Sequence, residues 1–380
     1  MHALQEPSSD GRVWVNIDLD ALASNVRELR SGLRPGCELM AVVKADAYGH
    51  GAFEVSSRLR REGINTFAVA TISEAVRLKQ NRIDGDILIM GYTHPVYADL
   101  LAGYNLIQLV IDESHARALS EAAQGMSKLR VHLAIDTGMH RLGMAANDLT
   151  QLENIYKYDN LSVEGVASHL ASSDSLNTDD VGFTKVQIKD FFDVVEELKS
   201  RGYNTGKAHI QASYGMVNNP GLPCDYVRMG IAMYGVRSSD AAVINGYKLR
   251  PVLSMQARVA QVRWIGAGES VSYGRTFVAD KSLKLATISA GYADGIPRQA
   301  SSKGAMCIAC GKKVPVIGRI CMDLLMIDAT DTELRQGDAV TIIGSEGSEE
   351  IRCEELAEAS GTITNDILCR LGSRVTRIYT

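Results

Sequence analysis

The feature that most constrains the fold is a repeated alternation of short apolar runs and amphipathic stretches over residues 35–235. Eight runs have strand-like composition, at residues 39–43, 67–70, 86–90, 106–111, 129–135, 163–168, 208–212 and 226–229. Stretches with helical periodicity separate them, for example at 53–62, 73–79, 113–123 and 184–201. Such alternation implies parallel strands joined by right-handed crossovers. Eight units predict an α/β fold of the closed (β/α)8 TIM-type barrel class. The alternative is an open doubly wound sheet, but the chain lacks the glycine-rich nucleotide loops that mark it.

The pattern of predicted strands and helices changes after about residue 245. Short β-rich runs lie at 252–264, 283–288, 306–308, 314–317, 324–328 and 339–343, and only 353–360 is clearly helical. They predict a second, mostly β domain, with residues 18–245 forming the barrel. A ninth early strand at 13–17 is one more than the barrel needs, so residues 11–17 are assigned with 246–380 to the β domain. Asp18 or Asp20 is expected to cap a helix at 21–30.

Composition excludes several classes of protein. Hydrophobic residues at 46% and charged residues at 22% are typical of a packed globular chain, and a net charge of −5 argues against nucleic acid as a partner. The first residues lack the apolar core of a signal peptide, and seven scattered cysteines suggest a reducing compartment. We therefore expect a cytoplasmic protein, with a membrane involved only if a preceding domain has been removed. Cys307 and Cys310 have no second ligand pair at zinc spacing, so we expect buried thiols and no metal site.

Polar residues cluster where the predicted barrel strands end. Lys44 follows the first strand, Arg141 the fifth and His169 the sixth, while Ser213 and the segment 228–231 follow the seventh and eighth. The active sites of such barrels lie at these carboxyl ends, and phosphate is often held after the last two strands. Ser213 and the backbone N–H groups of residues 230 and 231 would form a neutral phosphate cradle.

Lys44 is the most informative of these residues. A lone ammonium at the end of a buried strand is costly unless it has a partner or a chemical role. Forming a Schiff base with an aldehyde cofactor is one such role, and Tyr48 in the following Tyr-Gly-His-Gly segment could help to hold a phosphate. The alternative is a structural lysine whose ammonium reaches solvent at the barrel rim.

Six segments together resemble the alanine racemase family of pyridoxal-phosphate enzymes (fold type III). They are AVVKADAYGHG (41–51), DTGMHRLG (136–143), VRMGIAMYG (227–235), VSYG (271–274), GYADG (291–295) and GRICMD (318–323). They occur in the family's order and span nearly the whole chain. The resemblance implies pyridoxal 5′-phosphate as cofactor, a barrel with a β domain, and a head-to-tail homodimer whose active sites are completed across the interface.

The resemblance also implies residue roles. Lys44 would bind the cofactor covalently and act as the base on one face of the substrate carbon, with Tyr273 of the partner subunit as the base on the other. A racemase needs such a pair, because a proton removed from one face must be returned on the opposite face. Arg228 would face the pyridine nitrogen, and His169 would link Arg228 towards Tyr273. The remaining positions match phosphate contacts (Tyr48, Ser213, Gly230, Ile231), substrate-carboxylate contacts (Arg141 and the backbone of Met322) and the entrance (Tyr292).

Two positions depart from the family pattern. Many relatives carry a carbamylated lysine that orients the arginine at position 141, whereas this chain has Ala134 there. We therefore expect another group to support Arg141, or a looser hold on substrate. The second departure is Asn365, where the family has a tyrosine that packs against the substrate and touches the phosphate.

Asn365 suggests the substrate. An amide offers a donor and an acceptor to a serine hydroxyl and nothing to an alanine methyl. The substitution resembles the serine/alanine racemases of vancomycin-resistance clusters, whose racemase domain is fused to a membrane-embedded segment. The expected activity is racemisation of serine, alanine or both, supplying D-amino acids for cell-wall precursors. A strict alanine racemase, a decarboxylase of the same fold and a non-catalytic pyridoxal-phosphate binder stay open as alternatives.

Overall fold

A computed structural model describes residues 11–238, 244 and 246–380 and contains two large β-sheets. The strands of the first part of the chain are β1 Val13–Ile17, β2 Glu38–Val42, β3 Thr66–Val69, β4 Asp86–Ile89, β5 Ile107–Val110, β6 Leu129–Asp136, β7 Met144–Ala145, β8 Leu161–Ala167, β9 Lys207–His209 and β10 Tyr226–Met229. The later strands are β11 Leu253–Ile265, β12 Ser270–Val271, β13 Phe277–Val278, β14 Leu283–Ile288, β15 Met306–Ala309, β16 Lys312–Pro315, β17 Leu325–Asp328, β18 Ala339–Glu346, β19 Glu349–Ile351 and β20 Thr376–Tyr379.

The helical segments are α1 Leu19–Ser31, α2 Lys44–Tyr48, α3 Ala52–Arg61, α4 Ile72–Gln80, α5 Ala98–Gly103, α6 Glu113–Ala122, α7 Leu149–Ile155, α8 Thr178–Ser200, α9 Ser213–Asn218, α10 Cys353–Ser360 and α11 Thr364–Cys369. Short 3-10 turns lie at Pro95–Tyr97, Ile231–Tyr234, Tyr273–Arg275, Tyr292–Asp294 and Arg298–Ser302. Within the described ranges, none of the helices has both the length and the apolar character that crossing a membrane requires.

The first sheet is a nearly closed barrel of eight parallel strands in the order β10-β2-β3-β4-β5-β6-β8-β9. Two backbone bonds join its ends, because the Asp225 N–H donates to Ala208 O (2.8 Å) and the Arg228 N–H to Gln211 O (3.0 Å). The strands are short and apolar on both faces, since helices cover the outside and side chains fill the inside. All four residues of β3, for example, are buried. The predicted (β/α)8 fold is confirmed, and each predicted barrel strand corresponds to one observed strand.

The second sheet is mostly antiparallel and follows the order β16-β15-β18-β11-β1-β20, with β14 and β17 beside β11. Strand β11 alternates buried and more exposed residues, as expected for a sheet with one face on the core. Strand β1 pairs with β11 antiparallel and with β20 parallel, so residues 13–17 belong to this sheet. The boundary predicted between 245 and 246 stays a prediction, because residue 245 lies outside the described residues.

Local capping explains several helix starts. The Asp18 carboxylate accepts from the Ala21 N–H (2.6 Å) and caps α1, which selects one of the two predicted caps. Helix α8 begins earlier than the predicted start at 184, because the Asn177 side chain accepts from the Asp180 N–H (2.8 Å). The six residues of α11 were not predicted as a helix, since so short a segment shows little periodicity.

One prediction about the cysteines is wrong. Cys307 is buried as expected, but Cys310 is exposed. Cys310 comes directly after β15, in the tight connection to β16, and has a left-handed backbone with φ of 52°. The apolar run therefore ends one residue before it.

Candidate active site

A cavity of about 480 Å³ opens at the carboxyl ends of the barrel strands. It brings together predicted site residues from six separate segments of the sequence. Those that line it are Lys44, Tyr48, Arg141, His169, Ser213, Arg228, Gly230, Ile231 and Asn365. Tyr273, Tyr292 and Met322 do not line it and belong to the second domain.

The segment that carries Lys44 into the cavity has an unusual backbone. After β2 the chain enters a left-handed turn, in which Ala45, Asp46, Ala47 and Tyr48 have φ of 51°, 54°, 54° and 52°. A left-handed turn of non-glycine residues brings each Cβ close to a backbone carbonyl and is strained. The turn places Lys44 and Tyr48 in the same cavity. It was not predicted, because none of these four residues is a glycine.

Contacts from neighbouring elements hold this turn. Glu74, in the first turn of α4, accepts from the Ala45 N–H (2.7 Å), and Asp46 accepts from the Ala52 N–H (2.8 Å). Arg377 in β20 donates to Gly49 O (2.8 Å), so the second domain also fixes the turn. Strained backbone persists at functional sites when its surroundings determine it in this way.

The charge of Lys44 is disfavoured by its surroundings. The side chain is half-buried, and burial together with the nearby Arg141 cation lowers its pKa below the usual 10.5. A lysine with a lowered pKa is more often neutral near physiological pH. Its nitrogen is then available both as a nucleophile towards an aldehyde and as a base.

Arg228 is the most strongly fixed polar side chain of the cavity. Its guanidinium donates to His209 Nδ1 (2.6 Å), to Ser168 O (2.6 Å) and to Ile210 O (3.1 Å), and it contacts His169 Nδ1 at 3.1 Å. Burial lowers the pKa of Arg228 to about 10, so the side chain remains a cation at neutral pH. The site therefore presents a fixed charged donor next to His169, and the roles predicted for these two residues towards a cofactor stay predictions.

A chain of histidines lies behind Arg228 and was not predicted. Since His209 Nδ1 accepts from Arg228, its hydrogen is on Nε2, which donates to His132 Nδ1 (2.8 Å). Burial lowers the pKa of His132 to about 3 and that of His209 well below 6.5, which keeps both rings neutral. A Cβ on Gly165 would lie 2.6 Å from the His132 ring, so the pairing needs glycine in β8. The two histidines lie on nonadjacent strands, and each strand also carries other polar residues, so no local pattern indicated the pair.

The opposite side of the cavity forms a small neutral cradle. The Ser213 hydroxyl accepts from the Gly230 N–H (3.2 Å) and the Ala232 N–H (3.4 Å), which leaves its hydrogen available to donate. The Tyr48 hydroxyl lies beside Gly230, where a Cβ would approach it to 2.8 Å. The missing side chain at 230 thus leaves a concave space lined by hydroxyl and N–H groups, which is suited to a phosphate.

Three loops of the second domain bring the other predicted residues together. Tyr273, Met322 and Tyr292 are 68%, 51% and 41% exposed in this chain. Ser272 donates to Arg319 O (2.6 Å), and the N–H groups of Tyr292 and Ala293 donate to Cys321 O and Met322 O (3.0 Å each), so the loops are tied to one another.

A buried carboxylate anchors the same loops. Asp294 is fully buried, accepts from the Gly291 N–H (2.9 Å) and pairs with Arg12. Arg374 approaches the same carboxylate at 3.5 Å and pairs with Asp323 at 2.6 Å. Three exposed side chains are therefore presented from a rigid base that was not predicted from the sequence.

Comparison with known proteins gives the family. The sequence matches the N-terminal domain of alanine racemase over residues 17–238 and its C-terminal domain over residues 252–379. The chain belongs to the alanine racemase family. This confirms the resemblance inferred from the six sequence segments.

Relatives in this family differ in name and in length. The alanine racemase of Nostoc sp. is 39% identical over 97% of this chain and 95% of its own length. The serine/alanine racemase of Enterococcus gallinarum is 40% identical over 93% of this chain but only 50% of its own length. The chain likewise spans about half the length of two amino-acid racemases of Enterococcus faecalis. The crystal structure of alanine racemase from Bacillus anthracis with bound L-Ala-P superposes with a TM-score of 0.91, at 32% identity over 97% of this chain and 95% of that one.

The alanine racemase family depends on pyridoxal phosphate, and the cavity fits this cofactor. Lys44 would offer the nitrogen for its aldehyde, and Tyr48, Ser213 and Gly230 would hold its phosphate. Arg228 would be the fixed donor for its ring nitrogen. The groups that line the cavity thus fit the three polar parts of the molecule, and the individual roles stay predictions.

Arg141 differs from the usual family arrangement. Ala134 is buried in the cavity wall, so no side chain from that position can reach the arginine. Arg141 is exposed and makes no hydrogen bond or ion pair with any residue that the structure describes. The Asp136 carboxylate does not replace the missing group, because it accepts from the N–H groups of Gly138 (2.9 Å) and His140 (3.0 Å) in its own loop. A support for Arg141 is therefore not found in this chain's described residues.

Asn365 lies on the cavity wall in the first turn of α11. Its Oδ1 is buried and has no hydrogen-bond partner among the residues that the structure describes. Helix α11 packs closely on the left-handed turn, since a Cβ on Gly49 would lie 2.2 Å from Leu368 O. The position of Asn365 relative to Lys44 is thus fixed by backbone packing, and its amide is left free for a bound group.

Proposed function

We propose that this chain is a pyridoxal-phosphate-dependent racemase that interconverts L- and D-serine, L- and D-alanine, or both, and works as a homodimer. The observation that carries the proposal is the placement of the two candidate bases. Lys44 lies inside the barrel cavity, whereas Tyr273 stands exposed on the second domain of the same chain. A second chain bound head to tail would supply the Tyr273 of the partner subunit and cover that exposed face.

The bound cofactor supplies the electron sink that makes the substrate Cα acidic. Lys44 Nζ takes or returns the Cα proton on one face, which its lowered pKa favours. Tyr273 of the partner subunit does the same on the opposite face. Arg228 donates to the ring nitrogen and keeps it unprotonated, because a fixed cation disfavours a second positive charge beside it. Met322 and Tyr292 of the partner subunit would close the site, and Arg141 would bind the substrate carboxylate.

A buried, unpaired amide oxygen supports serine as a substrate. Leaving Asn365 Oδ1 without a partner costs free energy, and a serine hydroxyl could donate to it. Alanine offers no such donor, so the contact would favour serine. D-amino acids made in this way would serve as cell-wall precursors.

Steady-state kinetics on both amino acids test the substrate. The ratio of kcat/KM for L-serine to kcat/KM for L-alanine should fall about tenfold or more in Asn365→Tyr, because one hydrogen bond is lost and the space is filled. An unchanged or increased ratio would refute the amide contact. A wild-type enzyme that racemises only alanine would favour the strict alanine racemase.

Isotope exchange tests the reaction and the two bases. In D2O the wild-type enzyme should exchange the Cα proton without releasing CO2. A decarboxylase would release CO2, and a non-catalytic binder would neither exchange the proton nor release CO2. Tyr273→Phe should abolish racemisation in both directions. Full racemisation by that variant would disprove the two-base assignment.

A further inference from the structure

Ser238 presents an unused hydroxyl to the same cavity. It follows the 3-10 turn Ile231–Tyr234 and lines the cavity together with Tyr48, Ser213 and Asn365. Its Oγ is buried and makes no hydrogen bond in the part of the chain that the structure describes. A buried hydroxyl without a partner is costly, so such an atom beside a binding cavity indicates a contact that a ligand completes.

Two backbone bonds fix the position of this residue. The Ser238 N–H donates to the Tyr214 hydroxyl (2.7 Å), and Ser238 O accepts from the Thr364 N–H (3.0 Å). Tyr214 comes directly after Ser213 of the phosphate cradle, and Thr364 comes directly before Asn365. Ser238 therefore lies between the cradle and Asn365, on the phosphate side of the cavity.

We propose that Ser238 is a further binding residue for the cofactor phosphate, donating its hydroxyl hydrogen to a phosphate oxygen. The proposal rests on the proposed function only in its choice of cofactor. Tyr214 is the side chain near enough to interact with the Ser238 hydroxyl. Its oxygen accepts from the Ser238 N–H, so its own O–H can donate to Ser238 Oγ while the serine hydrogen is donated to the phosphate. The Ser238 hydroxyl would add a donor on the cavity wall near Asn365. The phosphate would then be held by Ser213 and Tyr48 on one side and by Ser238 on the other.

Cofactor binding to the apoenzyme tests this without any measurement of catalysis. Titration with pyridoxal 5′-phosphate, followed by protein fluorescence, should show affinity weakened about tenfold or more in Ser238→Ala, since the hydroxyl meets a charged acceptor. Titration with pyridoxal, which has the same ring and aldehyde but no phosphate, should give the same affinity in both proteins. Ser238→Thr retains the hydroxyl and should retain affinity for pyridoxal 5′-phosphate.

Ser56→Ala is the matched control. The Ser56 hydroxyl is also buried, with no partner within the described parts of the chain, but it lies in α3 outside the cavity. Its removal should therefore leave both affinities unchanged. Equal weakening of pyridoxal and pyridoxal 5′-phosphate in Ser238→Ala, or no weakening of either, would overturn the proposal. Racemase activity can persist if the Ser238 proposal fails. Conversely, Ser238→Ala can show the phosphate-specific loss of affinity even if the enzyme racemises neither serine nor alanine. The two proposals therefore fail separately.

Discussion

The left-handed turn after Lys44 should depend on Glu74. Four non-glycine residues in this conformation cost about 1–2 kcal/mol each, or about 4–8 kcal/mol together. Glu74 offsets part of that cost, because its carboxylate accepts from the Ala45 N–H (2.7 Å) and also from the N–H groups of Ala70 (2.8 Å) and Thr71 (3.1 Å). One glutamate thus fixes the turn to the start of α4.

Glu74→Ala removes all three bonds. A hydrogen bond to a charged acceptor contributes about 1.5–3 kcal/mol to stability. The three bonds of Glu74 are partly exposed to solvent, so we assign each of them about half of that value or less. We expect the free energy of unfolding to fall by about 2–3 kcal/mol, in line with the loss of a helix cap and one further bond. Because Lys44 directly precedes the turn and Tyr48 is its last residue, affinity for pyridoxal 5′-phosphate should fall as well.

Urea titration and cofactor titration measure the two effects. Glu74→Gln keeps an acceptor oxygen and should lose less stability than Glu74→Ala. Glu196→Ala, a solvated glutamate of α8 that pairs with Lys199, is the control and should change little. If Glu74→Ala loses no more stability than Glu196→Ala and binds the cofactor as the wild type does, Glu74 does not hold the turn.

Two further predictions follow from buried charge. In the apoprotein the folded-state pKa of Lys44 lies below the usual 10.5, so the folded chain binds fewer protons and gains stability as pH rises towards 10.5. Lys44→Met should therefore have a higher thermal midpoint than the wild type at pH 7, and this difference should shrink above pH 9. A difference that does not change with pH would contradict the burial of the Lys44 charge. Asp294→Asn should lower the free energy of unfolding by about 2–3 kcal/mol, because Arg12 loses a buried partner. It should also raise KM more than it lowers kcat, because the loops that carry Tyr292 and Met322 become looser. The exposed Asp331→Asn serves as control, and an unchanged KM in Asp294→Asn would show that the anchor does not position these loops.

The barrel and the position of Lys44 were predictable because both depend on local pattern. Strand and helix periods are set by residues a few positions apart, and a lysine directly after an apolar strand lies at the carboxyl end of that strand whatever the rest of the chain does. The six family segments then contained six of the nine predicted site residues that line the cavity, namely Lys44, Tyr48, Arg141, Arg228, Gly230 and Ile231. The β1 strand was assigned to the second sheet by counting, and its pairing with β11 and β20 agrees.

Contacts between distant residues were not predictable in this way. His132 and His209 meet because β6 and β9 lie on either side of β8, and each ring gives little signal in its own strand. Arg12 reaches Asp294 across the second domain, from 282 positions away in sequence. Charge pairs of this kind are selected by proximity in the folded chain, which no local pattern encodes.

The sequence by itself determined the barrel, the second β domain and the lysine at the cavity mouth, because periodicity and strand ends are local properties. Only the tertiary structure decided how that lysine is presented. The left-handed turn of Ala45, Asp46 and Ala47 is strained by its own residues and exists because Glu74 and Arg377, from α4 and β20, hold it. Among residues 11–238, 244 and 246–380, tertiary packing also leaves Asn365 Oδ1 and the Ser238 hydroxyl without partners at the cavity wall, because whether a buried polar atom is paired depends on the residues around it.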